Sequence, residues 1–322
     1  MMNIQKKRWL TAGILSAPIL SLVAVLLQCV SLFREFEGDR GYFAQNAPVR
    51  TTLLCFFAVA TLLFAVWAVI FRREFSPPVY TGSLTVFFSS AFMVVTLLVL
   101  AVSGLLAVAS ATGTVAAFLL LAAVFALISV VYFALFLHPA SPINTKRGML
   151  GVAPALFSLF MAMILYFDQT SQMNEPAKLL SLLAFLLIAV YSLGECRGLF
   201  CRQAPALQFF TTAIAMLIAA VASVPNVLYT LVKGQELVLS TVYDFVLFAY
   251  SLYMLARLLQ MLPYDLPMTH SMVRGFLQKE EEDLASEEEA TAQAEEATPT
   301  DEDEPEQISV LDQIADTDPD AQ

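Results

Sequence analysis

Apolar residues in this chain come in long, nearly unbroken runs. They lack the two-residue alternation of a half-buried strand and the single stripe of a soluble amphipathic helix. Eight runs stand out, at 9–33, 51–71, 83–109, 114–137, 149–167, 179–200, 207–232 and 237–262. A helix rises 1.5 Å per residue, so about 20 residues cross a hydrocarbon core roughly 30 Å thick. The pattern therefore predicts an all-α fold, a polytopic transmembrane bundle of eight spans occupying residues 1–262. Lys6-Lys7-Arg8 precede the first run as they would in a signal peptide, but its apolar core, at 9–33, exceeds the 7–15 residues of such a segment. It reads as a retained first helix with a bend at Pro18. The habit breaks at 166–178, where Asp168, Asn174, Glu175 and Lys178 crowd between the fifth and sixth runs. That stretch predicts the tip of a helical hairpin.

Composition strengthens this picture. Of the 322 residues 58% are hydrophobic and 14% charged, and the mean hydropathy is +0.72. Soluble domains are nearer half apolar and a quarter charged. The net charge of −11 hides a division: residues 262–322 hold 19 of the 28 acidic residues against Arg274 and Lys279, a net −17, and leave residues 1–261 at +6. Segments 263–279 and 280–322 therefore separate from the bundle. In the first, Met268, Met272, Val273, Phe276 and Leu277 predict a short interfacial helix despite Gly275. The second is so rich in Glu, Asp, Ala, Thr and Pro that it predicts a disordered acidic tail. So acidic a tail disfavours nucleic acid or anionic lipid as its own partner, while the apolar runs make the lipid bilayer the expected partner of the bundle.

Lys and Arg orient the spans. With the N-terminus cytoplasmic, twelve of them fall in inside segments, while Arg34, Arg40, Arg50, Lys178 and Lys233 fall outside. The positive-inside rule then predicts both termini in the cytoplasm. Within the spans, Ser89, Thr96, Ser103 and Ser110 recur every seven residues, and Thr211, Ala215, Ala219 and Ser223 every four. Small residues at such spacings let helices approach closely in lipid.

Charge inside a membrane is costly and marks structure or function. Asp244 falls about seven residues into the eighth run, and Pro225-Asn226 lie at comparable depth in the seventh. Asp168, Asn174, Lys178, Asn226, Tyr229 and Asp244 are thus candidates for one outward-facing polar pocket, serving either a cation, proton or polar ligand or the tying together of helices. Nearer the cytoplasmic face, Glu195, Arg197 and Arg257 are candidates for an ion pair. In the tail, Ile308, Leu311 and Ile314 recur every three residues between acidic flanks, a candidate docking motif for a cytoplasmic partner.

No cofactor is implied. The two histidines, His138 and His270, lie outside the runs and form no His-Glu-x-x-His, and Cys196 and Cys201 find no further Cys or His at metal-ligand spacing. The phosphate loop, the nucleophile elbow and the kinase signatures are missing as well. No catalytic residue is indicated.

The residues Tyr166-Phe167-Asp168, Met173-Asn174, Pro176, Lys178 and Glu195-x-Arg197 carry a resemblance. Over residues 150–260 the chain resembles uncharacterised multi-pass membrane proteins of Gram-positive anaerobic bacteria. That resemblance implies a bacterial plasma membrane and supplies no mechanism. Two functions remain in view. One is a membrane scaffold or accessory subunit whose acidic tail recruits a partner. The other is a transporter or channel-like protein using the Asp168, Asn226 and Asp244 region.

Overall fold

Prolines begin three of the long helices. Pro48, Pro176 and Pro205 sit in the first turn, where a missing N–H costs nothing and the fixed φ favours helix entry. In the computed structural model the described residues are 4–37, 42–43, 47–75, 83–109, 111, 113–137, 145–168, 175–200, 204–234 and 241–262. They form α1 (Ile4–Glu35), α2 (Pro48–Ile70), α3 (Leu84–Val108), α4 (Gly113–Ala134), α5 (Thr145–Leu150), α6 (Val152–Phe167), α7 (Pro176–Leu199), α8 (Pro205–Lys233) and α9 (Thr241–Leu259). A two-residue antiparallel pair, β1 (Phe36–Glu37) with β2 (Tyr42–Phe43), follows α1. Eight helical segments among the described residues are long and apolar enough to cross a membrane, the fifth of them, Gly148–Phe167, made of α6 and the end of α5. The chain is an all-α, multi-pass membrane protein.

Helix ends differ from the runs where hydropathy cannot see hydrogen bonding. The eighth spanning helix, α9, is described from Thr241, with Asp244 in the first described turn, and the start of the run at 237 lies outside the described residues. The fifth span divides at Gly151 into α5 and α6, and a Cβ there would fall 3.2 Å from the Gly148 carbonyl oxygen. Gly234 ends α8 at φ 67°, a left-handed conformation that only glycine takes without strain, and donates its N–H to the Thr230 carbonyl. The N-terminus of α2 is capped from another helix: the backbone N–H groups of Val49 and Arg50 donate to the two oxygens of Glu35 at 2.9 and 3.0 Å.

The bundle is arranged around α8, whose most apolar window is 67% buried against 22% for α2. It packs on α1, α2, α7 and α9, while α9 also meets α3, and α4 meets α3 and α6. The core is aromatic between α4, α6, α7 and α9, where Phe133, Phe157, Phe185, Tyr250 and Tyr253 are fully buried. The small polar stripes are satisfied within their own helices: Ser89, Thr96, Ser103 and Ser223 each donate to a carbonyl three or four residues back. Their contribution is therefore small size, with no hydrogen bond to a neighbouring helix among those described.

The end of the bundle that holds the start of α1 is tied by an ion pair and a ring stack. Lys6 pairs with Glu74 at 3.0 Å, joining the start of α1 to the turn after α2, and Phe75 stacks on Phe209 at the start of α8. The described residues all belong to one compact unit. The expected interfacial helix, the acidic tail and the Ile308, Leu311, Ile314 group all lie outside the described residues, as do Asn174 and Ser110.

Candidate functional site

Two buried polar clusters lie on α7 and α9, one toward each end. The first centres on Glu195. Its Oε1 lies 2.7 Å from Arg257 Nε, and the two side chains are 3% and 2% exposed. Tyr253 donates its hydroxyl to the same carboxylate at 3.0 Å, and Tyr191 donates to the other oxygen at 3.2 Å. Arg257 also donates to Gln260 through Nη1, and its guanidinium stands 5.7 Å from the centre of the Phe136 ring. A buried carboxylate is tolerable only with its charge paired and its lone pairs filled, and this one has both. Next to it Cys196 donates its thiol to the Gly148 carbonyl at 3.0 Å, holding α7 to the end of α5. Arg197, two residues on and round the helix, is exposed. The expected trio thus resolves into an interior pair, Glu195 with Arg257, and a surface arginine.

Sequence reasoning left out Tyr191, Tyr253, Gln260 and Phe136 from this cluster. A signal was present: each charged residue has a tyrosine four positions earlier, Tyr191 before Glu195 and Tyr253 before Arg257. Residues at i and i+4 share a helix face, so each charge carries a hydroxyl alongside it.

The second cluster lies toward the opposite end. Asn226 of α8 donates its amide to Asp244 of α9 at 3.5 Å, and both are buried. Lys178, only 1% exposed, donates to the backbone carbonyl of Asp168 at 2.6 Å, closing α6 onto α7. Tyr191 meets Tyr253 and Glu195 meets Arg257, in the same order along both helices, so α7 and α9 run parallel. Lys178 then stands about 25 Å and Asp244 about 20 Å from that pair along their helices, at 1.5 Å per residue. Asp168, Lys178, Asn226 and Asp244 therefore occupy neighbouring depths.

Glu175, which precedes α7, belongs here too and is buried. Burial pushes its carboxyl above the usual glutamate range; nearby Lys178 pulls it down and Asp168 pushes it up. Tyr229 turns its ring to Phe33 and Phe36, with centroids 5.6 and 5.9 Å away, and so joins α8 to α1 and β1. Beside them a further polar group escaped the sequence reading: Arg50 donates to the buried Gln28 at 3.4 Å and lies over the Phe43 ring at 4.6 Å.

The chemistry these sets can perform is limited and specific. Each of the two sets at this depth, Asn226 with Asp244 and Lys178 with Glu175 and the Asp168 carbonyl, can hold a proton or a small polar ligand, or can tie its own helices together. Among the described residues no three His, Cys, Asp or Glu side chains are placed to hold a metal ion. Comparison with family models, with curated proteins and with solved structures finds no match for this chain.

Proposed function

We propose that this protein is a membrane scaffold or accessory subunit, whose helices form a fixed platform and whose acidic tail recruits a cytoplasmic partner. The observation that supports a platform is that buried charged groups find ion-pair or hydrogen-bond partners within the chain. Glu195 is matched by Arg257 and two tyrosines, Asp244 by Asn226, and Lys178 by the Asp168 carbonyl. Each contact joins different helices or closes a hairpin, apart from that of Tyr191. In this reading the protein lies in the bacterial plasma membrane with both termini cytoplasmic. The Ile308, Leu311, Ile314 group folds as a helical turn into a partner's groove, steered there by the flanking acids.

The test uses the full-length chain, purified from its own membrane in mild detergent. Partners recovered with it should survive Asp244→Asn, which keeps a hydrogen-bonding side chain. They should be lost with Leu311→Asp plus Ile314→Asp, and should weaken as salt screens the acids. Recovery indifferent to the tail variant would overturn the proposal.

A second reading is favoured by the concentration of Glu175, Lys178, Asn226 and Asp244 at one end, all buried. In a transporter these groups would bind a cation or proton, and flux into proteoliposomes would vanish in Asp244→Asn while insertion persisted.

A further inference from the structure

Where α2 meets the start of α8, an aromatic clamp holds the two helices together on their inward side. Phe209 is set between Phe64 and Phe75, with centroids 6.3 and 4.8 Å away. On the outward side the facing residues are small, Ala65 and Ala68 on α2 and Ala206 on α8, so the helices cannot close the space between them. What remains is an open apolar groove of about 300 Å³, completed by Val69, Leu207 and Phe210. Val69 and Leu207 are 72% and 53% exposed, so the groove faces outward from the bundle, toward lipid.

Its mouth is basic. Arg72 lines the groove at the end where α2 finishes, and the exposed Arg73 follows it. The nearest acid along the chain, Glu74, is held by Lys6 at 3.0 Å. The first turn of α8 adds to the positive potential, because its N-cap residue, Ala204, has no side chain to cap the free N–H groups there. The site thus combines an apolar slot at membrane depth with a cation at the membrane surface. A polar solute has nothing to bond to in the slot. A peptide strand would leave its backbone N–H and C=O groups unpaired in hydrocarbon. An amphiphile with an acyl chain and an anionic head satisfies both parts.

We propose that this groove seats an acyl chain of one anionic phospholipid, with the headgroup phosphate against Arg72. Retention of lipid by the purified full-length protein in detergent, read by native mass spectrometry, provides the test. Phosphatidylglycerol and phosphatidylcholine with identical acyl chains are supplied in equal amounts. Phosphatidylglycerol should be retained about fivefold more, the weight of one basic residue at an anionic surface. Arg72→Gln should bring it to the phosphatidylcholine level, with Arg34→Gln at the other end of the bundle as a control without effect. Ala65→Leu, which fills the slot, should reduce retention of both lipids. Unfolding temperatures measured alongside separate lost binding from lost fold, and Arg72→Gln leaves the helix packing intact. Equal retention of the two lipids by the unaltered protein would overturn the proposal. So would a preference that survives Arg72→Gln, or a loss in Arg34→Gln as large as in Arg72→Gln.

Discussion

Glu195 and Arg257 show how a membrane interior handles charge one residue at a time. Their separation of 2.7 Å, with the tyrosine hydroxyls filling the remaining positions, leaves each dependent on the other. Removing one partner strands a buried charge, at about 3–5 kcal/mol, whereas replacing both with apolar groups of similar size is often close to neutral. Arg257→Met alone should therefore lower the unfolding temperature in detergent sharply. Adding Glu195→Met should recover most of the loss, and a double variant less stable than the single would contradict this account. Glu175 makes a prediction about pH. Its carboxyl titrates above the usual value because it is buried, so between that value and its own the folded state binds more protons than the unfolded. Stability then falls as pH rises through the window that begins at about 4.3. Below the window the contribution is fully present. Unfolding temperatures of the natural protein and of Glu175→Gln, followed upward from about pH 4, should diverge in favour of the variant. A difference constant with pH would show that Glu175 does not titrate abnormally.

Between elements, close approach is set by which residues are small and where. A Cβ at Gly13 of α1 would collide with the indole of Trp67 on α2, which is itself stacked on Phe71. At Gly104 of α3 the same addition meets only the Ala123 methyl, at an ordinary 3.7 Å. Gly13→Ala should accordingly destabilise the protein by about 1–3 kcal/mol through overpacking, and Gly104→Ala should be near neutral. Thermal unfolding of the two variants side by side checks the contrast, which equal losses would refute. Such differences are not legible in the sequence, where both are glycines within apolar runs. The runs themselves were enough to find every spanning helix, because length and apolarity are properties of composition. The Glu195 to Arg257 pair was legible from depth alone, the two charges lying near matching ends of their runs. Its tyrosine partners were not chosen, because tyrosine is unremarkable in a membrane helix until a charge is known to face it. Glu175 escaped as a site residue for a related reason: hydropathy places it outside a span, and only the fold covers it.

At the scale of the whole bundle, the two ends differ in charge. Among the described residues Lys6, Lys7, Arg8, Arg72, Arg73, Lys146, Arg147, Arg197 and Arg257 lie toward one end, and Arg34, Arg50, Lys178 and Lys233 toward the other. Lys178 at the second end is buried and held by Asp168, so it presents little charge to a headgroup region. Arg257 at the first end is likewise buried and paired with Glu195, so the difference between the two surfaces is the one that the residues show. Basic residues near span ends are retained on the cytoplasmic side during insertion, so the first end should face the cytoplasm. Eight crossings then return the chain to the side where it began. Single-cysteine variants in a background without Cys29, Cys55, Cys196 and Cys201, treated with a membrane-impermeant thiol reagent in intact cells, test this orientation. Ser171→Cys, between α6 and α7, should label, and Ser286→Cys in the acidic segment should label only after the membrane is permeabilised. The opposite pattern would invert the bundle. It would also set the Arg72 groove in the outer leaflet and the acidic segment beyond reach of any cytoplasmic partner. Labelling of both sites in intact cells would require an even number of crossings between them, and so would remove one of α7, α8 and α9 from the membrane.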